Sequence, residues 1–399
     1  EQSWQVNEQL LERFPDYPTA VLFKAKMLLD QERFDELEDF VDLDKDFGEQ
    51  FGGRHLVSFS ELAEYESVAI EWQLANSNTK EAVRRSRAIL LLMKEFKTDV
   101  PFPDRVLLAF ETYLPEEELT LDTRALLSDL IRLEMGYPRR PDFHHPEIHL
   151  LYEDLEPEDV PKLLSLLNLP RTTLLQDLRA AIRDGIVNYP FFRAFYGAGD
   201  DEMNAMMVYA FLLLAELREP GDLEDWLQFL RQPEDRIDWW VGDWMGQLMF
   251  VVGWQLGRDD LPRMETALLD EYKFDWASPN LATSLGQIAL THPEKTQEVL
   301  DIFYRVLDQA MNKGFGNKDL SPFLIDTILE NACGFDLPRF LPMVDLAYAN
   351  KWVDDEFYGS RETFLRELES REEMQEGFEY KVLQQGLSTW LTRVIRGEL

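Results

Sequence analysis

The chain has 399 residues, more than one compact core usually supports, so it reads as two domains or one extended array. Its 45% hydrophobic content excludes general disorder. The 76 Asp and Glu against 40 Lys and Arg leave a formal charge of −36, which repels phosphate backbones and anionic headgroups and argues against nucleic-acid and membrane partners. A basic protein or peptide suits such a surface; with no partner, the same acidity simply keeps the chain soluble.

Cys333 is the single cysteine, so no internal disulfide and no multi-thiolate zinc site is expected, and a reducing, cytoplasmic compartment fits. The longest apolar run, Met206 to Ala215, is about half of what a membrane span needs, and no signal peptide is visible.

Leu10, Leu11 and Phe14 close a first helix, Pro15 to Pro18 turn, and Ala20, Phe23, Ala25, Leu28 and Leu29 mark a second, with a third from Phe34. Small residues at this spacing, with Pro-Asp-x-Pro between helices and Phe-Asp-Glu opening the next, resemble a tetratricopeptide repeat. A degenerate second unit spans Tyr65 to Phe96. Between them Asp44 to Ser60, with Phe47, Phe51 and Phe59, reads as a loop over the edge of the array. Its Gly52-Gly53-Arg54-His55 lacks the Gly-Lys-Ser/Thr ending of a phosphate loop. Helices follow at Arg105 to Tyr113 and Thr123 to Glu134, and Gly136, Pro138 and Pro141 end the first domain, residues 1–140.

Residues 141–157 read as a linker carrying the densest ligand chemistry of the chain, His144, His145 and His149. With Pro146 opening a helix, His145 lies at or before its cap and His149 in its first turn, so the imidazoles need not share a face, unlike those of His-Glu-x-x-His. Solvated linker histidines are the plainer reading, and no metal or other cofactor is assigned. His55 and His292 are isolated.

After helices at Val160 to Leu167 and Thr172 to Ile186, four helix pairs recur. Ala205 to Leu217 pairs with Leu223 to Leu230, and Trp240 to Leu256 with Leu261 to Leu269. Leu281 to Leu290 pairs with Thr296 to Leu307, and Phe323 to Ala332 with Pro338 to Ala349. The second helices begin at Leu223, Leu261, Thr296 and Leu337, which lie 38, 35 and 41 residues apart. The expected fold is all-α, an α-solenoid of stacked pairs, tetratricopeptide-like first and HEAT-like over residues 158–370, with a bundle as runner-up. In the tail, 371–399, Phe378, Val382, Leu387, Trp390 and Ile395 recur at roughly helical spacing and suit a terminal cap.

The stretch WWVGDWMGQLMFVVGWQL, residues 239–256, is expected as one enclosed helix at the middle of the stack. One seam carries Trp240, Asp243, Gln247, Phe250 and Trp254, another Val241, Met245, Leu248 and Val252, and a third the glycines 242, 246 and 253, where a neighbouring backbone approaches. Trp240, Asp243, Gln247 and Trp254 are the ligand-groove candidates, because they mix aromatic faces with hydrogen-bonding groups; packed as core, they need no ligand.

The run LPRTTLLQDLRAAIRDG, then YAFLLLAELRE, the Gly242-Asp243 pair and LPRFLPMVDLAYANKWVDDEF resemble the bacterial domain-of-unknown-function family numbered 1186, over about residues 155 to 370. That resemblance implies a helical HEAT-like fold and no activity. Members tend to carry an acidic pair after Gly-Asp; here Trp244-Met245-Gly246-Gln247 follows, so no role passes to those positions. The reading is a non-catalytic scaffold for a protein or peptide, with its oligomeric state left open. The alternative is a hydrolase using a metal or paired carboxylates such as Asp235 with Asp238 or Asp259 with Asp260, residues that also suit helix caps.

Overall fold

The computed structural model describes residues 2–52, 58–96, 120–196, 205–219, 221–269, 275–312, 323–353, 359–368 and 371–397. Among them every regular element is a helix, so the chain is all-α. It divides into two compact units, Glu1–Arg140 and Pro141–Leu399. The helix expected at Arg105 to Tyr113, and His55 with its neighbouring Gly53 and Arg54, lie outside the described residues. Among the described residues no helix is long and apolar enough to cross a membrane.

The first unit begins with α1 Gln2–Arg13, α2 Pro18–Asp30, α3 Phe34–Phe40 and the short α4 Phe47–Gln50. It continues with α5 Phe59–Ala75, α6 Thr79–Phe96 and α7 Leu121–Glu134. Pro18 opens α2 at a position where its missing N–H costs nothing. Helices α2 and α5 end alike. Glu32 and Ser77 take left-handed conformations (φ 56 and 60°), and the next N–H reaches back to Leu28 O at 2.9 Å and Gln73 O at 2.8 Å. Of the stretch expected as a loop over the array edge, residues 47–50 are helical and Phe59 and Ser60 open α5; its start is held by Arg85, which is 1% exposed. Its Nη2 donates to Asp44 O and Lys45 O at 3.0 and 2.8 Å, and Nη1 to Glu66 Oε2 at 3.0 Å. Phe47 and Phe51 then meet Tyr65 edge-on, with centroids 5.5 and 5.9 Å away.

The second unit has α8 Val160–Ser165, α9 Arg171–Val187, α10 Tyr189–Tyr196, α11 Met206–Leu217 and α12 Asp222–Leu230. Then come α13 Glu234–Val241, α14 Trp244–Gln247, α15 Phe250–Gly257, α16 Leu261–Leu268, α17 Ala277–Thr291 and α18 Thr296–Asn312. The unit closes with α19 Leu324–Ala349, α20 Arg361–Glu367, α21 Arg371–Met374, α22 Phe378–Gln385 and α23 Leu387–Arg396. Helices α9, α11, α15, α17 and α19 pack in succession, while α12, α16 and α18 lie beside them as a second row. Helix α19 is two segments meeting at Asp336 (φ −148°, ψ 70°), whose carboxylate accepts from Arg339 N at 3.2 Å, so Pro338 falls in a first turn where it is tolerated.

An ion-pair ladder runs along the second row. Arg263 of α16 holds Glu224 of α12, and Arg305 of α18 holds Glu265 of α16 at 2.6 Å. Arg339 holds Asp301 of α18 at 2.7 Å, and Arg361 of α20 holds Asp345 at 2.6 Å. These partly exposed rungs add roughly 0.2–1 kcal/mol each at most, and their effect is to fix register between successive pairs.

The expected single helix over 239–256 is three helices, α13, α14 and α15. Gly242 takes φ 41°, ψ −129°, a conformation a side chain resists, and Leu248 and Met249 both donate to Trp244 O at 2.9 Å, ending α14. Since the Met249 N–H is thus engaged, the Met245 carbonyl is satisfied from outside by Asn280 Nδ2 at 2.7 Å. Ser284 Oγ similarly reaches Phe250 O at 2.9 Å. Of the expected glycine seam, Gly253 is buried against Ser284, whereas Gly246 is exposed with nothing near where a Cβ would stand.

The tail differs from a cap stacked on the last pair. Gly386 (φ 78°) breaks it, and α23 packs on α8 and α11 near the start of the unit, with Trp390 Nε1 donating to Val382 O at 2.7 Å.

Two outcomes follow. Gly253→Ala drives a methyl into the Ser284 side chain and lowers stability by about 1–3 kcal/mol in urea denaturation, while Gly246→Ala is neutral or gains about 0.5–1 kcal/mol. Cys333 is buried in α19, and burial, reinforced by Asp336, pushes its thiol up to about 12. At pH 8 iodoacetamide therefore leaves the folded chain unmodified and alkylates it in denaturant, as read by intact mass.

Candidate functional site

The breaks at Gly242 and at Leu248-Met249 disperse the groove candidates. Trp240 is 1% exposed and packs against Trp239 and Phe192 with centroids 4.7 and 5.0 Å away, so it is a core residue. Asp243 is exposed beside the kink and Gln247 is half-buried at the end of α14. Trp254 is half-buried, donates through Nε1 to Thr291 Oγ1 at 2.9 Å, and carries the Arg258 guanidinium 5.8 Å above its ring. The four share no helix face, which corrects the expected groove.

The histidine segment is no free linker. It forms a 3-10 turn, Pro146–Tyr152, whose Ile148, Leu151 and Tyr152 are buried. Asp177 of α9, 1% exposed, clamps it: the His144 and His145 backbone N–H groups donate to its two oxygens at 2.9 and 3.0 Å, and His144 Nδ1 donates at 2.9 Å. Thr173 spends its hydroxyl proton on Pro170 O at 3.0 Å, so His145 Nε2, 2.7 Å away, donates to it. His149 lies edge-on to Phe143 with centroids 5.2 Å apart. The three imidazoles thus turn to three different neighbours. Among the described residues no group of three or more His, Cys, Asp or Glu side chains is placed to hold a metal ion.

A cleft of about 300 Å³ opens where the turn between α11 and α12 meets the turn between α15 and α16. Buried Leu223 and Leu256 and the 9%-exposed Gln255 line it together with Glu224, Asp259 and Asp260. Gln255 Oε1 is enclosed and has no hydrogen-bond donor among the described residues. Glu224 accepts from Arg263 Nε and Arg231 Nη1, both at 3.0 Å. Burial pushes its carboxyl up, and these two guanidiniums more than offset that, holding it below the usual carboxylate range. Asp260 caps α16 by accepting from Arg263 N at 3.2 Å, and the Asp259 side chain, 77% exposed, stands 3.4 Å from Lys295 Nζ.

Helical periodicity points at none of this. The visible signal was that Glu-Pro-Gly-Asp at 219–222 and Gly-Arg-Asp-Asp at 257–260 occupy the same place in successive pairs, which puts two polar turns side by side. The carboxylate pair Asp259 and Asp260 lies on this rim, whereas Asp235 faces Arg193 at 3.3 Å.

No family model, no curated protein and no solved structure matches the chain. The likeness of residues 155 to 370 to the family numbered 1186 therefore rests on the quoted sequence blocks alone.

Because Asp177 satisfies two backbone donors at once, Asp177→Ala lowers stability by about 2–4 kcal/mol and opens residues 141–156 to limited proteolysis, whereas His144→Ala shifts the melting temperature little.

Proposed function

We propose that this chain is a non-catalytic, HEAT-type scaffold of the cytoplasm that binds a basic protein segment. The observation that carries the reading is the excess of 36 negative charges. Much of the arginine is spent internally, as in the ladder from Arg263 to Arg361, so the uncompensated carboxylates are left to the solvent-facing surface. Stacked helix pairs extend such a surface beyond what a compact core of equal size offers, which suits an elongated ligand. A surface of this sign raises the local concentration of a cationic segment and speeds its encounter, an effect that weakens as salt rises. The resemblance to the family numbered 1186 agrees with a helical array and adds no activity to it.

Titrating the full chain into a fluorescein-labelled decapeptide rich in lysine and arginine tests this directly. Anisotropy should rise at low salt, the affinity should fall steeply between about 50 and 300 mM salt, and an acidic decapeptide of equal length should not bind. Equal binding of the two peptides, or of neither, overturns the reading.

A further inference from the structure

We propose that the cleft between the α11–α12 and α15–α16 turns is an arginine-reading subsite, with Gln255 Oε1 as the acceptor for a guanidinium; this deepens the scaffold reading and rests on it. The enclosed oxygen comes first. A buried acceptor left without a donor is costly and uncommon in folded chains, and a ligand that brings an N–H removes the deficit. At about 300 Å³ the cleft lies at the small end of ligand pockets, so it admits one side chain rather than a nucleotide or a larger cofactor.

Its lining then selects the side chain. Leu223 and Leu256, both buried, offer an apolar bed for an aliphatic stem. Beyond them the Asp259 and Asp260 carboxylates stand at the mouth, each with oxygen lone pairs to spare after Lys295 and the α16 cap have been served. An occupant therefore needs an apolar stem, a positive head, and donors on more than one edge of that head. Guanidinium meets all three, because its five N–H donors lie in a plane and it sheds water more readily than an ammonium. The two cations of the lining do not reverse the sign. Arg263 is already paired with Glu224, and Arg218 is exposed at the rim.

The test uses the full chain and three labelled peptides: a lysine decapeptide, the same peptide with one central arginine, and the same with citrulline there. The arginine peptide should bind about tenfold tighter than the other two. Gln255→Leu should bring the arginine peptide's affinity down to that of the lysine peptide, and Gln255→Glu should enlarge the arginine preference. Asp259→Asn alters only a mostly exposed side chain, so it keeps the test valid if Gln255→Leu fails to fold; it should reduce the arginine preference. Basic peptides that bind with no arginine preference, or with a preference that survives both Gln255→Leu and Asp259→Asn, overturn the subsite and leave the scaffold standing. If no basic peptide binds, the scaffold reading falls and the subsite with it.

Discussion

The contact between α15 and α17 is the constraint on which the second unit depends. Two breaks within eight residues, at Gly242 and at Leu248-Met249, disturb the hydrogen bonding of what composition alone would make a continuous rod. The Met245 carbonyl freed in this way needs another donor, and α17 supplies it from Asn280, while Ser284 of the same helix reaches Phe250 O. Ser284 reaches its target only because position 253 has no side chain. The glycine and the serine, 31 residues apart in sequence, therefore specify each other. A larger residue at 253 forces α17 away, and the loss of the Asn280 amide strands the Met245 carbonyl.

Around that contact the enclosure is distributed differently from what hydrophobicity suggests. Helix α11 is buried at every position from Met206 to Ala215, because α9, α12, α13, α15 and α23 all lie against it. A helix apolar on every side needs such a surround. The returning α23 is what covers the side that a simple succession of pairs would leave open. Each large apolar side chain of α11 that is fully buried contributes about 1.5–3 kcal/mol, so the tail is a structural component of the unit rather than an appendage.

Most helix pairs, and the break between Ala332 and Pro338, were legible in the sequence because they depend on local signals: apolar spacing and the placement of proline and glycine. What was not legible depends on partners distant in sequence. Gly242 reads as a helical glycine until its backbone conformation is known, and together with the break at Leu248-Met249 it removes Trp240, Asp243, Gln247 and Trp254 from a common face. The histidines look like solvated linker residues until Asp177, 32 or 33 residues downstream, is seen to hold their backbone N–H groups. Gln255 lies in an apolar run and is distinguished only by the absence of a donor in its surroundings.

Net charge and the cleft act over different distances, and the difference matters for specificity. At physiological salt an exposed charge is screened beyond about 8 Å, so on the proposed reading the acidic surface would act on any cationic segment, lysine or arginine alike, and would govern how fast it arrives. An enclosed amide oxygen exerts nothing at that range. It discriminates only once a donor enters the cleft, where water is displaced and a missing hydrogen bond is costly. On the proposed reading the diffuse term and the local one are therefore separable: substitutions among exposed carboxylates away from the cleft would change salt dependence and association rate, whereas changes at Gln255 or Asp259 would alter which head group is retained.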